Sequence, residues 1–95
     1  ENFVIVSIDT PFENSLAKVK VHPNPFSELV NFEIEGLEIK NGHFKLYDTL
    51  GRLLREQTFN NNTFTFQKKD LQAGIYFFTI EESGQLISNG KLIAQ

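Results

Sequence analysis

The sequence predicts an all-β domain, a small antiparallel sandwich with Greek-key connections, and three observations predict it. Apolar and polar residues alternate with a period of two through most of the 95 positions, and no window holds a helical period beyond a turn or two. Turn residues recur about every 8–15 positions, which leaves about seven or eight short strands. The stretch Leu71-Gln72-Ala73-Gly74-Ile75-Tyr76 carries the leucine, glycine and tyrosine of a tyrosine corner. In that motif a phenol entering a central strand hydrogen-bonds back to the turn before it. Here Tyr76 is the corner residue, Leu71 plugs the end of the core, and Gly74 permits the bend.

Taken in order, Phe3 to Ile8 is a short β-branched-rich run, and Asp9 to Lys18 is a polar, proline-containing loop or linker. Val19 to His22 is extended and stops at the prolines. In Leu29 to Glu35, Val30, Phe32 and Ile34 point one way while Asn31, Glu33 and Glu35 point the other. His43 to Asp48 repeats the pattern with Phe44 and Leu46, Arg52 to Phe59 follows a tight turn, and Thr63 to Gln67 puts Phe64 and Phe66 on one face. Lys68 to Leu71 suits a single 3₁₀ turn. Ile75 to Glu82 is apolar on both faces for most of its length, which marks a central strand. Leu86 to Gln95 closes the chain, with Asn89-Gly90 inside it.

Composition narrows the function classes. Ten phenylalanines supply the core, while cysteine, methionine and tryptophan are absent, so there is no disulfide framework and no thiolate metal site. A net charge of −3, with nine basic residues scattered among twelve acidic ones, argues against a nucleic-acid partner. No apolar run approaches the roughly 20 residues of a membrane span. The chain opens at Glu1 without a signal-peptide pattern, and is expected to be one module of a longer protein.

Two further signatures have backbone explanations. In Val21-His22-Pro23-Asn24-Pro25-Phe26, two prolines lack N–H donors and bias His22 and Asn24 toward extended dihedrals. The segment is expected to be a stiff elbow or edge crossing with Phe26 turned into the core. In Tyr47-Asp48-Thr49-Leu50-Gly51-Arg52, Asp48 accepts from turn N–H groups and Gly51 takes a left-handed conformation, closing a hairpin. No catalytic constellation, cofactor loop or metal set accompanies them. His22 and His43 lack ligand-spaced neighbours, and the serines sit in no nucleophile elbow. Asn61-Asn62-Thr63 fits a glycosylation sequon but reads first as a turn.

In this order and spacing, Pro23-Asn24-Pro25-Phe26, Leu46-Tyr47-Asp48 with Gly51-Arg52, Leu71 to Tyr76 and a terminal Lys91-Leu92-Ile93 resemble the type A C-terminal sorting domains of the type IX secretion system of Bacteroidetes-type bacteria. The resemblance covers Val19 to Gln95. It implies an Ig-like sandwich at the end of a secreted cargo protein, a domain that is the substrate of the export machinery and not an enzyme. Its partners would be the outer-membrane translocon, the sorting peptidase and an upstream cargo domain in cis. The cargo would then be released or joined to anionic lipopolysaccharide at the cell surface. Pro23, Asn24 and Pro25 match the family's first motif, Asp48 and Gly51 the second, Gly74 and Tyr76 the third, and Lys91, Leu92 and Ile93 the terminal one.

The resemblance puts translocon recognition on Lys91, Leu92, Ile93, Ala94 and Gln95, with an exposed strand edge and the tail as the handle. Residues 1–18 are then a linker or the end of a preceding cargo domain, with one extra edge strand as a further option. Residues 19–95 are the sorting domain. Cleavage is expected in Thr10 to Lys18 or before Glu1. His22 replaces the aromatic usual before the first proline, and Asn89-Gly90 reads as a bulge that re-aims the tail. The alternative is an Ig-like or fibronectin-like accessory module that binds carbohydrate or spaces domains. For that reading, Tyr47 is the one obvious outward aromatic.

Overall fold

Alternation decides which side of each strand turns inward, and turn residues decide where each strand stops. The computed structural model describes residues 17–95. Its strands are β1 (Lys18–His22), β2 (Leu29–Glu35), β3 (Gly42–Tyr47), β4 (Leu53–Phe59), β5 (Thr63–Gln67), β6 (Gly74–Glu82) and β7 (Gln85–Ala94). The run Phe3–Ile8 and nearly all of the expected linker lie outside the described residues. Asp48 and Arg52, read from sequence as strand ends, belong instead to the turn between β3 and β4, where their hydrogen bonds are made.

The strands form two sheets, β1-β2-β5 and β4-β3-β6-β7, with every ladder antiparallel. The β2–β3, β4–β5 and β5–β6 connections cross between the sheets, as a Greek-key sandwich requires. β6 lies between β3 and β7, the central place its two-sided apolarity demanded. Its corner forms: the Tyr76 hydroxyl donates to the Gln72 carbonyl at 2.6 Å. Leu71 packs against the core edge, and the Leu71 N–H closes the short turn on the Lys68 carbonyl at 3.0 Å.

Phenylalanines fill the space between the sheets. Phe32 of β2 stacks on Phe64 at 4.7 Å, meets Phe78 edge-on at 5.2 Å and touches Phe44 at 5.1 Å. Phe44 continues to Phe66 at 5.0 Å, and Phe66 meets Phe26 of the elbow at 6.4 Å. Each such pair adds about 0.5–1.5 kcal/mol beyond the area it buries. One contiguous cluster therefore welds both sheets and the elbow. Val30, Leu46, Ile80, Ile87 and Leu92 complete it, all at or below 1% exposure.

Asparagine and glutamate secure the far end. The Asn62 side chain donates to the carbonyls of Ile34 (2.8 Å) and Leu37 (2.7 Å) and accepts from the Ile39 N–H at 3.2 Å. The cluster Asn60-Asn61-Asn62 is thus more than a turn, because Asn62 satisfies the irregular β2–β3 backbone. The Glu82 carboxylate accepts from the N–H groups of Lys40 (3.1 Å) and Asn41 (3.0 Å). Desolvation pushes its pKa up, but those N–H bonds, together with the Ser83 hydroxyl and the Lys40 charge, outweigh it and leave the group below the ordinary value.

The last strand corrects one expectation. Asn89-Gly90 is not a bulge: Asn89 faces Thr79 and Gly90 faces Phe78 in unbroken register. The irregularity lies earlier, where Ile80 faces Ser88 but Glu81 faces Leu86, so Ile87 is the inserted residue and turns into the core. Gly90 is there because the Phe78 ring lies over it. A Cβ at position 90 would sit 2.7 Å from the ring. Gly90→Ala is therefore expected to cost about 1–3 kcal/mol by overpacking. Asn89→Ala should stay within about 0.5 kcal/mol, the usual surface range. Urea unfolding followed by circular dichroism checks both.

Candidate recognition surface

The proline elbow and the final strand build one structure. Pro23 and Pro25 have no N–H to offer a ladder, and the His22–Pro23 and Asn24–Pro25 peptide bonds are both cis. Between them the Asn24 side chain stands in for backbone. Its Oδ1 accepts from the Ile93 N–H at 2.9 Å, and its Nδ2 donates to the Lys91 carbonyl at 3.0 Å. One residue past the second proline, backbone pairing resumes in parallel sense. The Phe26 N–H donates to the Ile93 carbonyl at 2.9 Å, and the Gln95 N–H to the Phe26 carbonyl at 2.8 Å. The elbow is a clamp on the tail, with Phe26 driven into the core at 1% exposure.

That clamp covers the tail's own part of the expected strand edge. Along Lys91 to Gln95 the outer edge of β7 is already occupied, so the tail offers no open ladder there for a partner strand. Leu92 and Ala94 point inward at 0% and 3% exposure, whereas Lys91 and Ile93 are half-buried and Gln95 is exposed. Of the five terminal residues, only Lys91, Ile93 and Gln95 present side chains outward. The structure brings Pro23, Asn24 and Pro25 against this tail, and Gly74 and Tyr76 beside it on β6, where they face Ala94 and Leu92.

Asp48 and Gly51 lie at the same end. The Asp48 Oδ1 accepts from the N–H groups of Leu50 and Arg52, both at 2.9 Å, and Oδ2 accepts from Arg52 Nε at 2.7 Å. Gly51 sits at φ +85°, a conformation costly for any residue with a Cβ. The Arg52 N–H bond, against a smaller desolvation effect and with the guanidinium helping, holds the Asp48 carboxyl below its ordinary value. This turn continues β3, whose Tyr47 lies opposite Phe77 of β6.

Phe77 was missed in the sequence because β6 is apolar on both sides. It points outward with Tyr47 and is a second aromatic on that face, beside the one expected. A second nonlocal contact lies further up the sheet, where His43 Nε2 is 2.8 Å from Glu56 Oε1 across the β3–β4 ladder. Among the described residues, no three His, Cys, Asp or Glu side chains converge as a metal set. No described helix is long and apolar enough to cross a membrane.

The architecture is an Ig-like β-sandwich. A DUF3244-family protein of Bacteroides vulgatus ATCC 8482, described as having an immunoglobulin-like β-sandwich fold, superposes with a TM-score of 0.66. The match spans 87% of each chain at 13% identity, a likeness of fold. No curated protein matches the chain. Residues 20–95 match the family of secretion system C-terminal sorting domains, and the chain belongs to that family, the sorting domains of type IX secretion.

Asn24→Ala removes both side-chain bonds to the tail and is expected to cost about 1–2 kcal/mol. Amide exchange should speed up first at Ile93, measured by NMR. The lowered Asp48 pKa gives stability that is full above the ordinary carboxylate range and lost as pH falls through the folded-state value. The thermal midpoint should therefore drop below about pH 4, and Asp48→Asn should flatten that drop.

Proposed function

We propose that this domain directs a cargo protein through the type IX machinery across the outer membrane. The family match over residues 20–95 carries that reading. Residues 19–95 act as the sorting domain and residues 1–18 as the connection to the cargo. The translocon reads the outward side chains of the terminal segment, Lys91, Ile93 and Gln95, while Leu92 and Ala94 hold that segment in place from below. The clamp supports recognition of a folded surface over capture of a loose peptide, because the tail's backbone is already paired. The sorting peptidase then cuts on the cargo side, in Thr10 to Lys18 or before Glu1. The cargo is released or joined to anionic lipopolysaccharide. The domain contributes no catalytic group to these steps.

The test is a reporter carrying a signal peptide and residues 1–95, expressed in a bacterium with the type IX system and in its translocon-deficient derivative. The reporter should appear outside the cell only in the first. A reporter that stays periplasmic in the first strain overturns the sorting role. Deleting Lys91–Gln95 is a poor probe, since it also removes two core side chains and the clamp's partner. Lys91→Ala combined with Gln95→Ala is the cleaner variant, expected to reduce export at an unfolding midpoint within a few degrees of the parent.

A further inference from the structure

We infer that the tail is one margin of a larger docking face, the outer surface of the four-stranded sheet at its tail end, and that this face fits a protein surface apolar at its centre and bordered by carboxylates. The inference rests on the sorting role proposed above and names the surface that serves it.

The outward residues of β7 do not stand alone. Cross-strand pairing sets Leu53, Tyr47, Phe77 and Lys91 in one row across β4, β3, β6 and β7, and sets Ile75 beside Ile93 in the next. Side chains so paired share a face and touch or nearly touch. Ile75 is 47% exposed and Leu53 45%, and Leu50 at the tip of the adjoining turn is 77% exposed. The turn itself needs Asp48 and Gly51 but makes no demand for leucine at position 50, where the backbone N–H alone is used. Exposed apolar residues are ordinary when scattered, but a contiguous set on one sheet face marks an interaction surface.

Charge selects the occupant. Lys91 borders the patch beside Phe77, and Arg52, 72% exposed and ion-paired with Asp48, borders it at the turn. Lys45, one position up the sheet, is held by Glu81 at 3.7 Å. Around the same end stand Lys68, Lys69 and the ion pairs Arg52–Asp48 and Arg55–Asp70, so that among the described residues there the basic groups outnumber the carboxylates, to which Glu28 adds one. The opposite end gathers Glu33, Glu35, Glu38, Glu81 and Glu82 against fewer lysines. The domain thus presents its basic end with the apolar face, which steers it toward an acidic border. A second copy is a poor occupant, because two-fold packing of this face would set one net-basic end against another.

The test uses the full chain on the exported reporter. Ile75→Asn combined with Leu53→Asn, neither in the terminal segment, should lower extracellular reporter about tenfold or more. Leu29→Asn on the other sheet and Leu86→Asn at the far end of this one, 40% and 46% exposed, should leave it unchanged. Leu50→Asn, at a site too exposed to matter for folding, should give a several-fold loss and keeps the test valid if the double variant unfolds. Parent export with equal export of the double and Leu50 variants overturns the docking face while leaving the sorting role intact. A parent that never leaves the periplasm fails the sorting role instead. Sedimentation showing a parent dimer that the double variant dissolves assigns the face to a second copy and overturns the inference. So does binding of the parent, but not the variant, to phosphatidylglycerol vesicles, which would make the occupant a lipid surface.

Discussion

The interaction on which the molecule depends is the exchange of backbone work between Asn24 and the two prolines beside it. A pyrrolidine ring cannot donate to a ladder, so Pro23 and Pro25 on their own would leave the β7 edge unpaired where they pass. One primary amide between them supplies both a donor and an acceptor at the spacing of a strand. Everything at that end follows from it. Phe26 is delivered to the core, the chain crosses from one sheet to the margin of the other, and the final strand is held on both edges, by β6 and by the elbow.

The rest of the interior is organised around rings. With neither methionine nor tryptophan, the core has no flexible filler and no large indole. It is packed instead with phenylalanines whose offset and edge-on contacts leave defined gaps, and backbone fills them. Gly90 under Phe78 is such a place: the ring replaces the missing side chain, and the strand stays regular because of it. The polar clamps of Asn62 and Glu82 belong to the opposite end, where connections cross between sheets and backbone groups lack ladder partners.

What the sequence disclosed was what is decided locally. Period-two alternation placed β2 and β5 to the residue, and the Asp48 turn and the Tyr76 corner were readable because their partners lie within four positions. What stayed hidden depends on partners far along the chain. Asn89-Gly90 looks like a hairpin or bulge until Phe78 is known to lie across from it. Asn24 looks like a turn residue until Lys91 and Ile93 are beside it. Phe77 could not be assigned a side in a strand apolar on both. The candidate site was therefore readable as a list of residues but not as a surface. Leu92 and Ala94 proved to be core, and Ile75, Phe77 and Leu53 joined from strands with no terminal motif.

The clamp between Asn24 and the tail spans 69 positions and ties nearly the first strand of the module to its last. It closes only once the far end of the domain has been made and folded against the near end. A chain lacking β7 would still have the Pro23-Asn24-Pro25 segment, but Asn24 would have nothing to grip. The clamp is therefore a signature of the folded domain as a whole, which no part of it can form alone.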